Sequence, residues 1–555
     1  MDDLTIAQQA RLEPIEEIGA KLHFSPAEIE PFGHFKGKIS YEAMNAREEN
    51  NFGQLVLVTS MTPTAAGEGK STVTVGLADA FALLNKKVAI ALREPSAGPV
   101  FGRKGGATGG GLAQVVPMEE INLHFTGDMH ALTQANNLLS ALLDNHLQQG
   151  NALNIDSRKI YWNRVLDIND RTLRNITIGL GGPLNGWPRE DHFQITVASE
   201  LMAVLCLAKN IADLKNRIAS IVVAENTSGK IITVADLQAT DALTILLKEA
   251  LKPNLVQTLA GTPAFVHGGP FANIAHGCNS VMATRLALQT ADITVTEAGF
   301  GSDLGAEKFL DIKAPVLGKY PDAVVMVATI RALKMHGGLP LNDLDTENLA
   351  ALEAGFSNLA KHLENIAAFH LPQVVALNRF TSDTDAEIAL VKKLCAEKNI
   401  SCILTDVWAK GGKGAVELAE KLQDILAQQK EPVVKLYEST ATLEKKITTI
   451  AEKIYGAQRV TFTKKVQKQL RQFAENGWGR LPICMAKTPN SLSDNPTRLG
   501  RPENFTIEIR ELQAKIGAGF IVALAGSILT MPGLPKEPNA LKMTIDDDGT
   551  VHGLS

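Results

Sequence analysis

One stretch constrains the fold of this 555-residue chain more than any other, the run from Gln54 to Phe81. Its first part, Gln54-Leu-Val-Leu-Val-Thr59, is apolar enough for a strand buried on both faces, and it ends in Thr62-Pro-Thr-Ala-Ala-Gly-Glu-Gly-Lys-Ser71. A helical pattern then starts near Gly69, with apolar positions at Val73, Leu77 and Phe81. A strand, a glycine-bearing turn and Lys-Ser at a helix start form the layout of a phosphate-binding P-loop. Backbone N–H groups and the helix N-terminus would attract an anion, Lys70 would add positive charge, and the Ser71 hydroxyl could reach Mg²⁺. The expected ATP cradle is therefore Thr64, Ala65, Ala66, Gly67, Glu68, Gly69, Lys70 and Ser71. It departs from the Walker pattern at Thr64, six residues before Lys70, where glycine is usual. Alone, so short a stretch also fits an ordinary glycine-rich helix entry.

The remainder reads as strands alternating with helices. The run 87–92 is a second short strand that delivers Arg93 and Glu94 at its C-terminal end, where α/β sheets bind ligands. Adjacency in the chain places this strand next to the P-loop strand. Five of the seven residues from Gly105 to Gly111 are glycine, which suits a backbone wall against phosphate or substrate, or else a surface loop. Further strands are expected at 175–180, 218–223, 263–267, 293–297 and 324–330, separated by helices at 196–216, 235–251, 276–290 and 346–369. The alternation predicts an α/β fold, a P-loop NTPase-like, doubly wound, mostly parallel sheet in a large N-terminal domain, with two smaller α/β domains. The expected division is 1–365, 366–451 and 452–555. The helix expected at 119–150 carries three histidines, His124, His130 and His146, but their spacing fits neither HExxH nor an i, i+4 pair. The run Asp546-Asp-Asp-Gly549 lacks the downstream Glu of a calcium loop and predicts a hairpin turn.

A net charge of −5 argues against nucleic-acid binding through bulk positive charge. The acidic N-terminus has no apolar core for a signal peptide, and the longest uncharged run, 517–534, is too rich in Gly and Pro for a membrane span. Five scattered cysteines without a CxxC pair suit reduced thiols in a cytoplasm and no structural zinc.

Several stretches together resemble one family, formate–tetrahydrofolate ligase. They are Thr62 to Ser71, Leu92-Arg-Glu-Pro-Ser96, the glycine run 104–111, Asn122-Leu-His-Phe-Thr-Gly127, Asn254-Leu-Val-Gln-Thr258 and His267 to Gly277. Thr296-Glu-Ala-Gly-Phe-Gly301, Val327 to Gly338 and Trp408-Ala-Lys-Gly-Gly412 complete the set. Departures are small: Ala65, Ser71, and Thr108 and Leu112 in the glycine run. The resemblance spans essentially the whole chain and looks like the monofunctional enzyme. It implies ATP-dependent formylation of tetrahydrofolate through formyl phosphate, with Mg²⁺, a monovalent cation (K⁺ or NH₄⁺) and a homotetramer. Lys70 and Arg93 are then the catalytic cations, Glu94 orients Arg93 or binds an ion, and Phe300 lines the ATP site. Phe380 and Trp408, each just after an expected strand, would hold the pterin ring between them. A different carboxylate-activating ligase with a P-loop, or a regulatory nucleotide-binding protein, is the alternative.

Overall fold

The computed structural model describes residues 2–47, 51–64, 67–102, 108–429, 431–526 and 528–554. Ala65, Ala66 and 103–107, parts of the expected cradle and glycine wall, lie outside the described residues.

The chain forms a mixed α/β structure around a twelve-stranded sheet. Ten of its strands are β1 (Ile29–Pro31), β2 (Gly37–Ile39), β3 (Gln54–Ser60), β4 (Val88–Leu92), β5 (Asn254–Thr258), β6 (Pro263–Val266), β7 (Ile293–Glu297), β8 (Ala323–Ala328), β9 (Gln373–Asn378) and β10 (Cys402–Thr405). Their order in space is β1-β2-β5-β6-β4-β7-β3-β8-β9-β10, and from β6 to β10 every neighbour is parallel. The edge β1-β2-β5 is antiparallel.

Strand β3 is central because both its faces are apolar. Leu55 and Leu57 enter one core and Val56 and Val58 the other. The second core is closed by helix α1 (Lys70–Leu83), whose Val73, Leu77 and Phe81 are fully buried, and by helix Val416–Leu426. The first core is closed on the opposite face by helices that include Glu200–Leu207 and Leu349–Ala367. Helices thus cover both faces of a mostly parallel sheet, as the alternating pattern predicts.

Several local expectations change. The strand expected at 175–180 is a two-stranded ribbon (Ile176–Ile178 with Arg189–Asp191), and Val222–Asn226 belongs to a separate three-stranded sheet, so neither enters the large one. The helix expected at 119–150 is broken at Gly127, where φ is +92°, and the one at 196–216 is broken between Leu207 and Ile211. β7 stands between β3 and β4, so the two strands expected to be neighbours are separated by one. Past residue 365 the large sheet continues through β9 and β10, and helix Leu443–Ile450 runs on into the helical turn Ala451–Tyr455. The expected hairpin near 546–549 is present as Thr544–Ile545 paired with Val551–His552. Among the described residues no helix is long and apolar enough to cross a membrane.

The C-terminal part has its own four-stranded sheet, in the order Arg459–Phe462, Thr506–Lys515, Phe520–Ala525, Ile483–Ala486. It is fastened to the first core where Glu200 accepts the Gly517 N–H at 2.8 Å and Arg217 donates to the Ala518 carbonyl at 3.1 Å. Burial pushes the Glu200 carboxyl up to about 7, against the pull of Lys515 and the Gly517 and Ala518 N–H groups. A carboxyl with a raised folded-state pKa binds its proton in the native state before the unfolded state does. Its penalty is therefore absent below the ordinary value and grows as pH rises towards 7. Glu200→Gln should be the more stable protein at pH 8 by on the order of 3 kcal/mol, and the gain should vanish near pH 4. Denaturation midpoints of the two proteins across that pH range are the measurement.

Candidate active site

Three parallel strands, β3, β7 and β4, end side by side, and the chemistry-bearing residues follow their C-terminal ends. After β3 the chain turns into α1 through Gly67 and Gly69, both left-handed (φ +83° and +68°). A Cβ at Gly69 would also lie 2.3 Å from Asn378 Nδ2, so this turn accepts only glycine. Glu68 holds the turn from inside. Its carboxylate accepts the Thr64 N–H at 2.6 Å and the Thr329 hydroxyl, while its carbonyl accepts from Asn378 Nδ2 at 3.1 Å. Burial raises its pKa. Its side chain ties the loop to Thr329.

Lys70 and Ser71 open α1 and both reach across to β7 and the loop after it. Lys70 Nζ donates to the Phe300 carbonyl at 3.0 Å, and Ser71 Oγ donates to Glu297 Oε2 at 3.0 Å. Glu297 closes β7 and is buried, and its other oxygen accepts from Arg93 Nη2 at 3.2 Å. Burial works against its charge, yet Arg93, Lys70 and the Ser71 hydroxyl hold its pKa below the ordinary value. The partner of Arg93 is therefore Glu297, not its sequence neighbour Glu94. Among the described residues the buried Arg93 Nε has no hydrogen-bond partner, so this N–H is available as a donor. Gly299 allows this packing, since a Cβ there would lie 2.8 Å from Arg93 Nη1.

Glu94 is buried in a different setting. Burial, then the charge of Asp128, pushes its carboxyl well above the ordinary value, and Oε2 has no hydrogen-bond partner. Lys70 and Arg93 thus stand together with the Glu297 carboxylate at a helix N-terminus, a setting that suits an anion. Among the described residues no three His, Cys, Asp or Glu side chains gather as a metal site.

Phe300 is left-handed (φ +56°), a costly conformation for a bulky residue, and its carbonyl is held by Lys70 Nζ and by Ser60 Oγ at 3.0 Å. Phe380 follows β9, on the same sheet edge, with Arg331 over its ring at 5.6 Å and its N–H bonded to Asp383 at 2.8 Å. Trp408 follows β10 and is half exposed. Its indole Nε1 donates to Asp3 at 3.2 Å, and its carbonyl accepts the Leu112 N–H at 2.8 Å. The described end of the glycine run is explained by this contact, because a Cβ at Gly111 would lie 2.1 Å from the Trp408 carbonyl. The Gly411-Gly412 turn is explained by packing, since a Cβ at Gly412 would lie 2.8 Å from Asp79 Cβ in α1. Among the described residues no ring contact joins Phe380 to Trp408.

Sequence reasoning did not single out Glu297. The signal was present, a charged residue ending an apolar strand before a glycine-rich loop, the same signal that marks Arg93 and Glu94.

A parallel α/β sheet that presents a lysine, an arginine and a buried carboxylate beside a glycine-shaped helix entry is the framework of an enzyme for anionic substrates. Comparison with known families specifies it. The family model of formate–tetrahydrofolate ligase matches residues 1–555, the whole chain, and the chain belongs to that family. It is a ligase, with ATP-dependent formate–tetrahydrofolate ligase activity in general.

Removing Glu297 should be costly for stability, because it leaves Arg93 and Lys70 without their shared counter-charge. Glu297→Ala is expected to lose about 3–5 kcal/mol. Glu297→Gln, which keeps acceptors for Ser71 and Arg93, should lose less. Denaturant midpoints of the two variants make the comparison.

Proposed function

We propose that the chain makes 10-formyltetrahydrofolate, ADP and phosphate from formate, ATP and tetrahydrofolate through formyl phosphate. Formate is a poor electrophile because its leaving group would be oxide. A formate oxygen attacks the γ-phosphorus and the bond to ADP breaks, giving formyl phosphate. N10 of the folate then attacks the formyl carbon, phosphate departs with the C–O electron pair, and N10 loses its proton. The protein must bring anions together and neutralise the charge that develops.

The single observation that carries this reading is the convergence of Lys70, Ser71, Arg93 and Glu297 on one sheet edge. In it, residues 64–71 form a P-loop whose N–H groups and α1 N-terminus cradle the ATP phosphates, with Phe300 alongside. Lys70 stabilises the transferring phosphoryl group, and an ammonium on the Phe300 carbonyl still has the reach of a three-donor group. Arg93, through its unpartnered Nε, grips the formyl phosphate. Ser71 Oγ and Glu297 Oε2, 3.0 Å apart, are oxygen donors suited to Mg²⁺, which takes one or two protein oxygens beside phosphate and water. That ion would neutralise phosphate charge. A monovalent cation, K⁺ or NH₄⁺, completes this reading without an assigned ligand. In this reading 1–365 supplies the phosphate chemistry, 366–451 the pterin platform of Phe380 and Trp408, and 452–555 a supporting unit, in a cytoplasmic homotetramer.

Lys70→Ala should cut turnover by a factor on the order of 10²–10³ with the fold intact. Near-normal turnover in the folded variant would overturn the P-loop assignment. For the pterin platform, Trp408→Ala should raise the tetrahydrofolate KM by about 5- to 150-fold and leave the ATP KM in place. If the ring only packs, the melting temperature falls and both KM values stay.

A further inference from the structure

Helix Leu349–Ala367 passes behind both loops of the site, and its His362 joins them. The ring is fully buried, with Nε2 at 2.9 Å from Thr62 Oγ1 and Nδ1 at 2.7 Å from Ser302 Oγ. The hydrogen bonds around the ring suit a proton on Nδ1. Asn358 Nδ2 donates to Thr62 Oγ1 at 3.0 Å, so the Thr62 hydroxyl turns its own hydrogen to His362 Nε2. The Ser302 hydroxyl donates to the His362 carbonyl at 3.4 Å, so Ser302 Oγ accepts from His362 Nδ1–H. The imidazole is neutral with its proton on Nδ1, and burial, which lowers its pKa to about 4, keeps it so.

Thr62 is held from every side. Its N–H goes to Asn358 Oδ1 at 3.3 Å, and its carbonyl accepts from His336 Nε2 at 2.9 Å. His336 has the opposite tautomer, since its Nδ1 accepts the Gly500 N–H at 3.0 Å. Thr62 stands at the start of the 62–71 loop. Ser302 lies two residues after Phe300, whose carbonyl takes Lys70. Gly301 between them is pressed against the same ring, since a Cβ there would lie 3.0 Å from His362 Cε1.

We infer that His362 is a positioning residue of the ligase reaction, a strut that sets the separation of the 62–71 loop from the 299–302 loop and so the place of the Phe300 carbonyl that Lys70 contacts. The inference rests on the reading of residues 64–71 as the phosphate cradle. A bridge needs both its ends, whereas a histidine that only fills the core needs neither.

Two variants each keep one end. His362→Asn retains a donor towards Ser302 but cannot reach Thr62, and His362→Gln reaches Thr62 but leaves Ser302 without its donor. Steady-state kinetics of both, with Ser302→Ala and the His362→Gln/Ser302→Ala double variant, make the test, with melting temperatures as control. Each single variant should lose roughly 10- to 100-fold in kcat, the cost of misplacing a reacting group by about 1 Å. The ATP KM should rise while the tetrahydrofolate KM stays, and the double variant should be no worse than His362→Gln alone. Kinetic constants within about twofold of wild type, beside a lowered melting temperature, would overturn the inference and leave His362 a core residue. Should the His362 variants fail to fold, Ser302→Ala carries the same test from the other end, and an unchanged kcat there overturns it. Lys70→Ala measured in parallel separates the two readings. Normal turnover in Lys70→Ala overturns the cradle reading and this inference with it. Collapse in Lys70→Ala beside unaffected His362 and Ser302 variants overturns the inference alone.

Discussion

A carboxylate buried at the end of a central strand must be paired or it costs several kcal/mol, and Glu297 is such a group. Its two oxygens take Ser71, from the helix that follows β3, and Arg93, from the end of β4. This is possible because β7 lies between β3 and β4 and runs parallel to both, so all three strands deliver their C-terminal residues to one edge. The order of strands thus builds the site as much as any motif does. The same edge separates two carboxyls by environment. Glu297, among cations, is kept charged, while Glu94, in burial beside Asp128, is pushed towards its neutral form. Environment thus pulls the two acids in opposite directions, Glu297 towards its charged form and Glu94 away from it.

The strands that could be read from the sequence are those whose side chains leave no choice. β3, β4, β7, β8 and β9 are apolar runs because helices cover both their faces. β5 escapes that logic. Its Asn254, Gln257 and Thr258 are polar and buried, each bonded across the fold, Asn254 to Asp128, Gln257 to Glu13 and Thr258 to Asp79. A pattern of hydrophobicity cannot register a strand whose polar groups are satisfied by distant partners. Sheet order is illegible for a related reason. Adjacency in the chain favoured β4 beside β3, and only packing of the long segment between them places β7 in the gap.

Of the site, Lys70 was legible because it opens a helix straight after Gly69, and Arg93 because it follows a short apolar strand. Glu297 carries the same mark but reads as the last residue of one more strand. His362 carries none, since a single histidine in an amphipathic helix announces nothing until two loops close on its two nitrogens. The glycines show the limit from the other side. Gly111 could be seen as a close-approach residue, but what it approaches is the Trp408 backbone, and Gly412 packs against helix α1. Their service is to seat Trp408 at the rim with half its surface in solvent.

Phe300 shows how these parts depend on one another. A left-handed phenylalanine costs of order 1–3 kcal/mol and persists only where its surroundings over-determine it. Here the surroundings are specific. Its carbonyl takes both Ser60 and Lys70, Ser302 beyond it is tied to His362, and Gly305 packs so closely that a Cβ there would lie 2.0 Å from the Gly299 carbonyl. Relaxing Phe300 to an ordinary extended conformation would swing that carbonyl away from Lys70 and move an ammonium whose charge acts on Glu297. The strain therefore does not stand apart from the charge arrangement. The hydrogen bonds that keep Phe300 strained are the ones that aim Lys70, and the two helical turns of unusual π geometry that follow, Ser302–Ala306 and Phe309–Lys313, anchor the loop's far end in the core.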